Sequence, residues 1–517
     1  MFEKELFLKR TVFSMKKLSR IIFGRTFFLI LALLLQSGVL LLFMVKFSNL
    51  ILVYYGFSMV ISILVCAYIA NLDMNLNMRM SWICIILAMP VFGILFYIFV
   101  RIQPHSRKIS KRINYIIRQT KPYLTQTCKF DKGSDLEGLS TYMNDYAGYP
   151  IYNNSDVRYF PLGEDKYKEL VVQLKKATKF IFLEYFIIDE GEMWDSILEI
   201  LKEKVRKGVE VRLMYDGTCM FALLPHNYPK QMEKFGIKCA VYSPIRPALA
   251  MYQNNRDHRK IVVIDGKVAF TGGINLADEY INKVKRYGHW KDNAVMITGE
   301  AVRSFTMMFL QVWNIQNTKK EEYDKYLVES SVDNPNGYVM PYGDQPFDKE
   351  NVGEYVYMDI INKAKEYVYI MTPYLILDAE MLTCMEQASK RGVDIKIIMP
   401  HITDKPSAYL IARTYYEKLL NRGIEIYEYT PGFVHAKTFV SDHKKAVVGT
   451  INMDFRSLYL NLECAAYMEN VKAVDDIYED YMETLKKCQQ ITVKDCRKYN
   501  PVLKLIGKVL WIIAPLM

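Results

Sequence analysis

The sequence lacks the cysteine and histidine patterns that build disulfide frameworks and zinc sites. Its nine cysteines are scattered, none forms a Cys-x-x-Cys pair, and their number is odd. This distribution argues against a disulfide framework and favours a reducing compartment. The seven histidines have no zinc-binding spacing. The chemistry therefore has to come from another arrangement of side chains.

Charge is almost missing from one stretch near the N-terminus. Between residues 26 and 100 the charged residues are Lys46, Asp73 and Arg79. Three apolar segments of about 20 residues, the length that crosses a bilayer, fill this stretch. They are residues 27–45, 50–70 and 82–100. A cleaved signal peptide is disfavoured for the first, because two more apolar segments follow and no small-residue cleavage site is evident. Residues 1–104 are therefore predicted to be a membrane anchor of two or three transmembrane helices.

Basic residues flank this stretch on both sides, and the chain carries a formal net charge of +11. Such flanks place both ends on the cytosolic side, which requires an even number of crossings. The third segment, interrupted by Pro90 and Gly93, can be re-entrant or interfacial. Alternatively, the first segment lies along the surface. We expect two true crossings, a basic juxtamembrane linker at 105–150 that attracts anionic lipid, and a cytosolic catalytic part.

From about residue 150 the chain carries the same pattern twice. Each copy has a helical segment, a β-rich run, a helix that ends in a basic residue followed by glycine, and another strand. Strands alternating with helices predict an α/β fold, and two copies of this length indicate a duplication. The predicted domains are 151–328 and 339–487, joined by a polar linker at 329–338. The tail, 488–517, reads either as an amphipathic helix in the membrane interface or as a helix docked on the core.

Each copy ends in the motif that carries the chemistry. The first reads HRKIVVIDGKVAFTGGIN and the second HAKTFVSDHKKAVVGTIN, with identical spacing. One His-x-Lys-x4-Asp motif is weak, but two extended copies at matching places in a repeat are not coincidence. The residues that they supply are His258, Lys260, Asp265, Asn275, His435, Lys437, Asp442, Thr450 and Asn452.

The spacing of the motif predicts a hairpin that presents three functional groups on one surface. A histidine and a lysine two apart on a strand point to the same face. Asp265-Gly266 is a hairpin signal, after which the chain returns as an antiparallel strand and brings Asn275 close to His258. Two such hairpins facing each other supply a nucleophile, a proton donor and phosphate-binding groups, with no metal and no cofactor.

These motifs resemble those of the phospholipase D superfamily. The resemblance implies two phospholipase D-like domains, mixed sheets flanked by helices, packed as a pseudo-two-fold pair around one site. It implies that one histidine attacks phosphorus to form a phosphohistidine while the other acts as acid and base. We assign His258 as nucleophile and His435 as acid/base, although the sequence alone cannot order them. The motif lysines, both asparagines and Thr450 would bind the substrate phosphate.

The resemblance also points to residues beyond the motifs. Asp292 and Glu463 match the carboxylates that orient the histidines by binding the far ring nitrogen. Asp265 and Asp442 belong to the catalytic motifs but are expected to hold the hairpins. The chain departs from the superfamily after each motif glycine, where many members have serine and this chain has Gly273 and Thr450. The two half-sites are therefore predicted to be unequal.

Several runs resemble the bacterial cardiolipin synthases: RDHRKIVVIDGKVAFTGGINLADEY, IMTPYLILD and NMDFRSLYLNLE, together with the apolar N-terminus. This resemblance implies a phosphatidyltransferase of the bacterial cell membrane, multi-pass. It would transfer a phosphatidyl group from one phosphatidylglycerol to another and release glycerol. Its implied partners are phosphatidylglycerol and anionic membrane lipids, with no nucleic acid.

Three alternatives remain. Another phosphatidyl transfer, such as phosphatidylserine synthesis, or phospholipase D hydrolysis would use the same motifs, because acceptor choice depends on pocket walls. A nuclease is disfavoured by the apolar N-terminus. An inactive membrane scaffold is disfavoured by intact histidines, lysines and asparagines in both copies.

Overall fold

The computed structural model describes residues 51–101, 104–126, 128, 134–244, 255–317, 321–333, 335–348 and 350–516, with three isolated positions before residue 51. The predicted first membrane segment, 27–45, otherwise lies outside the described residues. The chain divides into two compact units. Unit 1 comprises residues 1–105, 245–252 and 512–517, and unit 2 comprises 106–244 and 253–511.

Unit 1 is helical, and its third apolar segment is broken. The helices are α1 Ile51–Ala70, α2 Leu76–Ala88 and α3 Pro90–Arg101. Pro90 begins α3, where a missing N–H costs nothing, so α2 and α3 hold only 13 and 12 residues. The Trp82 ring lies 5.2 Å from the Tyr97 ring, and Gly93 packs against the backbone of Ile86.

The transmembrane prediction is not supported by this part of the chain. Over the described ranges, no helix combines the length and the apolar character that a bilayer crossing needs. For residues 82–100 the physical reason is the break at Pro90, which divides the predicted span between two helices too short to cross.

The first half of unit 2 contains a seven-stranded mixed sheet in the order β1-β8-β6-β5-β2-β3-β4. Its strands are β1 Ser155–Phe160, β2 Phe180–Tyr185, β3 Glu210–Asp216, β4 Lys238–Tyr242, β5 Lys260–Ile264, β6 Val268–Gly272, β7 His289–Lys291 and β8 Ala294–Gly299, of which β7 stands apart. The helices, numbered on from α3, are α4 Pro104–Thr120, α5 Asp135–Tyr142, α6 Gly163–Lys176, α7 Glu192–Arg206, α8 Cys219–Ala222, α9 Tyr228–Lys234 and α10 Val302–Gln316.

The second half repeats this order and adds one strand, giving β17-β12-β11-β10-β14-β15-β16-β9. Its strands are β9 Tyr338–Asp344, β10 Tyr367–Met371, β11 Asp394–Pro400, β12 Glu425–Tyr429, β13 Gly432–Val434, β14 Thr438–Ser441, β15 Lys445–Gly449, β16 Glu463–Glu469 and β17 Cys488–Ile491. The helices are α11 Val352–Lys363, α12 Ala379–Lys390, α13 Pro406–Leu420, α14 Phe455–Tyr459, α15 Ala473–Leu485, α16 Val493–Lys498 and α17 Pro501–Ile513. The α/β fold and the duplication are confirmed.

The two halves share one core and exchange short strands. Buried apolar residues of both sheets form a single cluster, with Val295 and Val448 among its members. β7 of the first half pairs in parallel with β13 of the second, and Asp257 pairs with Leu462 at the matching place. Each motif histidine directly follows one of these exchanged segments, which brings both motifs to the junction of the halves.

The predicted linkers and tail take part in unit 2 to different degrees. Residues 105–150 contain α4 and α5, and Arg112 donates to the carbonyls of Asn314 and Asn317 at 3.2 and 2.8 Å. The described residues of 329–337 form no helix or strand. The tail begins as β17, which pairs with β12, so its start belongs to the second sheet.

The helix α17 docks on α13 through one face. A Cβ on Gly507 would lie 2.5 Å from the carbonyl oxygen of Leu410, and the Trp511 indole donates to the Tyr415 hydroxyl at 2.5 Å. Exposed apolar side chains on the opposite face are Val502, Leu505 and Val509, which are 63%, 64% and 56% exposed. One face of α17 is therefore docked on α13, which was one of the two predictions for the tail. The other face exposes a stripe of apolar side chains.

Candidate active site

The two motif aspartates anchor the hairpins. Asp265 and Asp442 occupy the turns β5–β6 and β14–β15 with φ of 54° and 55°, in the left-handed region that aspartate tolerates better than most residues. The Asp265 carboxylate accepts from the backbone N–H groups of residues 178–180 at 2.7 to 2.9 Å. Asp442 does the same for residues 365–367 at 2.8 to 3.0 Å. These contacts fix each hairpin to the start of the neighbouring strand.

Each motif histidine is bound by a carboxylate from the other half. Nδ1 of His258 lies 2.9 Å from Oε2 of Glu463, and Nδ1 of His435 lies 2.7 Å from Oδ2 of Asp292. Each histidine contacts a carboxylate of the other half because of the segments that the two halves exchange. The His258 N–H donates to the Leu462 carbonyl at 2.9 Å, which sets the strand position next to Glu463. In the second motif, the His435 N–H donates to the Lys291 carbonyl at 2.7 Å, which sets the strand position next to Asp292.

The motif lysines line the same buried surface. Nζ of Lys260 donates to the carbonyl oxygen of His258 at 2.6 Å. Nζ of Lys437 donates to the carbonyl oxygen of His435 and lies 2.9 Å from its Nδ1. The two lysines are 2% and 1% exposed, and the two histidines 8% and 7%. The site is therefore a recessed cationic surface, suited to an anionic phosphodiester.

Burial and mutual repulsion set the protonation of these groups. Burial lowers the pKa of Lys260 to about 8 and that of Lys437 to about 7. Burial, reinforced by the Lys437 charge, lowers the pKa of His435 to about 3. Burial and the Lys260 charge likewise hold the pKa of His258 well below its usual value. Without a bound anion both imidazoles are thus neutral at pH 7, and each keeps a lone pair.

The two orienting carboxylates differ in pKa. Burial raises the pKa of Glu463 to about 7, against the opposing charge of Lys260. Burial would also raise the pKa of Asp292, but the His435 imidazole and its hydrogen bond bring that pKa below its ordinary value. His435 therefore has a fully ionised partner at neutral pH, whereas the partner of His258 is partly protonated.

The two motif asparagines are also unequal. Oδ1 of Asn275 accepts from the Ile187 N–H at 3.0 Å, and its Nδ2 donates to the Tyr280 hydroxyl at 2.7 Å. Asn452 is buried, and its Oδ1 has no hydrogen-bond partner among the described residues. The second asparagine is the one whose amide remains more available.

The two positions where many superfamily members have serine, Gly273 and Thr450, have different surroundings, and at Gly273 the reason for the smaller residue is steric. A Cβ on Gly273 would lie 2.0 Å from Oδ1 of Asp292, so a side chain there would displace the carboxylate. In the second half the Thr450 hydroxyl donates to Oε2 of Glu463 at 2.5 Å and accepts from the Cys464 N–H at 3.0 Å. The structure thus places Thr450 against the orienting carboxylate.

Aromatic rings surround the two histidines unequally. The Phe186 ring lies 4.9 Å from that of His258. His435 has Tyr280, Trp290 and Phe433 at 5.5, 5.4 and 5.8 Å. None of the sequence patterns pointed to these aromatic residues. Tyr280 is the last residue of the run RDHRKIVVIDGKVAFTGGINLADEY. No spacing rule predicts that its ring contacts that of His435, which is 155 positions further along the chain.

Comparison with known proteins gives matches over both halves. The family described as "Cardiolipin synthase, PLD-like domain" matches residues 170–313 and 357–486. An uncharacterised protein of Streptococcus mutans is 49% identical, over 87% of this chain and 99% of its own length. A cardiolipin synthase of Alkalihalophilus pseudofirmus is 31% identical, over 85% of this chain and 88% of its own length.

Among solved structures, a phosphatidylserine synthase of Haemophilus influenzae superposes with a TM-score of 0.54. It covers 70% of this chain and 93% of its own, at 13% identity. At that identity the likeness is one of fold.

Proposed function

The chain belongs to the cardiolipin synthase family of phospholipase D-like proteins, and on that premise we propose that it is a cardiolipin synthase. It takes two phosphatidylglycerol molecules, joins them through one phosphatidyl group and releases one glycerol. The observation that carries the proposal is the crossed pairing of His258 with Glu463 and of His435 with Asp292. Two imidazoles held by carboxylates, with a buried lysine two residues after each, supply the groups that this transfer needs.

In the first step, His258 attacks phosphorus. The lone pair of its Nε2 forms the N–P bond while the P–O bond to the head-group glycerol breaks. The leaving oxygen takes a proton from the His435 imidazolium, and glycerol departs. Lys260 and Lys437 stabilise the charge on the non-bridging oxygens. The phosphatidyl group is now held on His258, and His435 is neutral.

In the second step, the phosphatidyl group moves to the acceptor. A hydroxyl of a second phosphatidylglycerol gives its proton to His435, and its oxygen forms a new bond to phosphorus. The N–P bond breaks, cardiolipin leaves, and His435 is protonated again. The proton that His435 takes up in this step replaces the one that it gave to glycerol in the first step, so the enzyme returns to its starting state.

The inequality of the carboxylates supports this order of roles. The acid/base histidine must carry a positive charge during the cycle, and the lowered pKa of Asp292 supplies an anion beside His435. The bound phosphodiester adds negative charge that offsets the lysines, which raises the pKa of His435 from its resting value. His258 needs only a lone pair, and its partner Glu463 has a raised pKa.

We also propose that α17 holds the catalytic unit at an anionic membrane surface. Val502, Leu505 and Val509 lie on the face that points away from α13. Lys504 and Lys508, four residues apart, flank that stripe with positive charge. Apolar side chains with flanking lysines match a bilayer rich in anionic head groups, which is where phosphatidylglycerol resides.

One experiment tests the proposed reaction. The purified full chain is incubated in phosphatidylglycerol vesicles, and lipids and glycerol are followed by mass spectrometry. Cardiolipin with one glycerol per molecule formed is the expected result. Phosphatidic acid without cardiolipin would make the protein a hydrolase and refute the transfer. His258→Ala and His435→Ala are each expected to abolish turnover with this substrate.

A further inference from the structure

A carboxylate outside both motifs is held at the edge of the site. Asp404 lies on the loop between β11, which ends at Pro400, and α13, which begins at Pro406. In parallel α/β sheets the loops after the carboxyl ends of strands are where ligands bind. The Ile402 N–H on this loop reaches the carbonyl of Gly432 at 3.5 Å, and Gly432 begins the short strand that leads into His435.

A second set of contacts ties Asp404 to the other end of the second motif. The Tyr374 hydroxyl donates to Oδ2 of Asp404 at 2.7 Å. The Thr372 hydroxyl donates to the Tyr374 carbonyl at 2.9 Å and accepts from the Met453 N–H at 3.3 Å. Met453 directly follows the motif residue Asn452. The loop that carries Asp404 is therefore bonded to a residue just before the second motif, and the tyrosine that donates to its carboxylate is linked to the residue that follows that motif.

These contacts leave out the other oxygen of this carboxylate. Oδ1 of Asp404 is buried, and none of the residues that the structure describes gives it a hydrogen bond. Buried carboxylate oxygens are normally hydrogen-bonded, because leaving one unpaired costs its full desolvation. The negative charge of Asp404 also reaches Lys437, whose pKa it raises against the larger effect of burial. This oxygen is therefore able to accept a hydrogen bond from a bound molecule.

The chemistry of the site identifies which part of a substrate supplies that donor. A carboxylate repels the phosphate, so it faces the alcohol portion of the substrate. We propose that Asp404 binds a second hydroxyl of the acceptor alcohol and so selects polyols such as the glycerol head group over simple alcohols. This inference rests on the proposed transfer and names the residue that chooses its acceptor. Asp404 belongs to the half that carries His435, the proposed base for the acceptor hydroxyl.

A competition between two alcohols tests the assignment. The full chain receives phosphatidyl-p-nitrophenol as donor, with equal concentrations of glycerol and 1-propanol, which match in chain length but differ in hydroxyls. Mass spectrometry gives the ratio of phosphatidylglycerol to phosphatidylpropanol. Because both products come from one variant in one reaction, a change in its overall turnover does not alter the ratio.

The unaltered protein is expected to favour glycerol, and Asp404→Ala to lower the ratio about tenfold, the size of one charge-assisted hydrogen bond. Asp404→Asn and Tyr374→Phe are expected to give smaller decreases, because an oxygen acceptor remains in both. The matched control is Asp394→Ala, which removes a carboxylate at the opposite end of β11 and should leave the ratio unchanged.

An unaltered ratio in Asp404→Ala, an equal decrease in Asp394→Ala, or no preference for glycerol before any substitution would each overturn the assignment. The outcome is separable from the proposed function. A protein that makes no cardiolipin from phosphatidylglycerol, yet loses glycerol preference in Asp404→Ala, would refute the synthase proposal and keep the role of Asp404.

Discussion

Nδ1 of His258 lies 2.9 Å from Oε2 of Glu463, a residue 205 positions further along the chain. The reciprocal pair, His435 with Asp292, is separated by 143 positions in the opposite sense. Neither half therefore contains a complete histidine–carboxylate pair from its own motif region. The candidate site is therefore built from both halves, and the carboxylate that binds each motif histidine comes from the other half.

The unequal pKa values of the two carboxylates predict unequal losses on neutralisation. Asp292→Asn removes a full charge beside His435 and is expected to lower kcat by about 10²- to 10⁴-fold, as in other histidine–carboxylate pairs. Glu463→Gln is expected to cost less, because burial raises the pKa of Glu463 to about 7 and its carboxyl is already partly protonated. Steady-state cardiolipin formation at pH 7 measures both.

The matched control for these variants is Asp475→Asn. Asp475 forms an exposed pair with His443 at 3.2 Å, away from the motif histidines, and its neutralisation should leave kcat unchanged. Equal losses in Asp292→Asn and Glu463→Gln would contradict the proposed division of roles.

A substrate with a good leaving group should separate the two histidines. With phosphatidyl-p-nitrophenol the first step needs no acid, so His435→Ala should release about one equivalent of p-nitrophenol in a burst and then stall. The stalled enzyme is expected to carry a phosphatidyl group on His258, which mass spectrometry of an acid-avoiding digest detects. His258→Ala should show no burst. An adduct found on His435 instead would reverse the assignment.

Gly273 should be intolerant of any side chain. A Cβ there would meet Oδ1 of Asp292 at 2.0 Å, so Gly273→Ala must push the carboxylate away from His435. We expect a loss of about 1–3 kcal/mol in the free energy of unfolding and a severe loss of activity. Chemical denaturation and the cardiolipin assay measure these. Gly138→Ala, in α5 with open space around the new Cβ, is the control: it should leave activity unchanged and raise the free energy of unfolding by up to about 1 kcal/mol, because alanine favours the helix.

The alkaline limit of activity should lie unusually low. Burial lowers the pKa of Lys437 to about 7 and that of Lys260 to about 8, so both lose their positive charge as the pH rises through this range. Since the charged forms bind phosphate, kcat/KM should fall between about pH 7 and 9, well below the usual lysine pKa of about 10.4. The fall in kcat should occur at a higher pH than the fall in kcat/KM, because bound phosphodiester stabilises the charged form of both lysines. A kcat/KM that stays flat to pH 10 would be inconsistent with this protonation scheme.

Membrane contact through α17 should depend on its exposed apolar face. The double variant Leu505→Glu with Val509→Glu adds charge to that face, while Gly507 and Trp511 still dock the helix on α13. Vesicle co-sedimentation should show weaker binding to phosphatidylglycerol vesicles and a lower rate on vesicle substrate. Val172→Glu, at an exposed apolar residue of α6, is the control. Unchanged sedimentation in the double variant would remove α17 from the membrane-binding surface.

The duplicated α/β fold and the residues of the two motifs can be predicted from the sequence alone. Identical spacing in both copies requires the same hairpin twice, and a hairpin is local enough for sequence rules to predict. The interruption at Pro90 is visible in the sequence, but the contact of the Trp82 ring with the Tyr97 ring across it is not, because that contact joins two separate helices.

The way in which the two halves contribute to the candidate site cannot be predicted from the sequence and depends on tertiary packing. Which carboxylate binds which histidine follows from the exchanged pairings of β7 with β13 and of Asp257 with Leu462, which are long-range contacts. The exclusion of a side chain at Gly273 and the position of Asp404 depend on the same packing. Residues more than 100 positions apart leave no periodic signal in the sequence, since their approach is set by the packing of two sheets and not by the local chain.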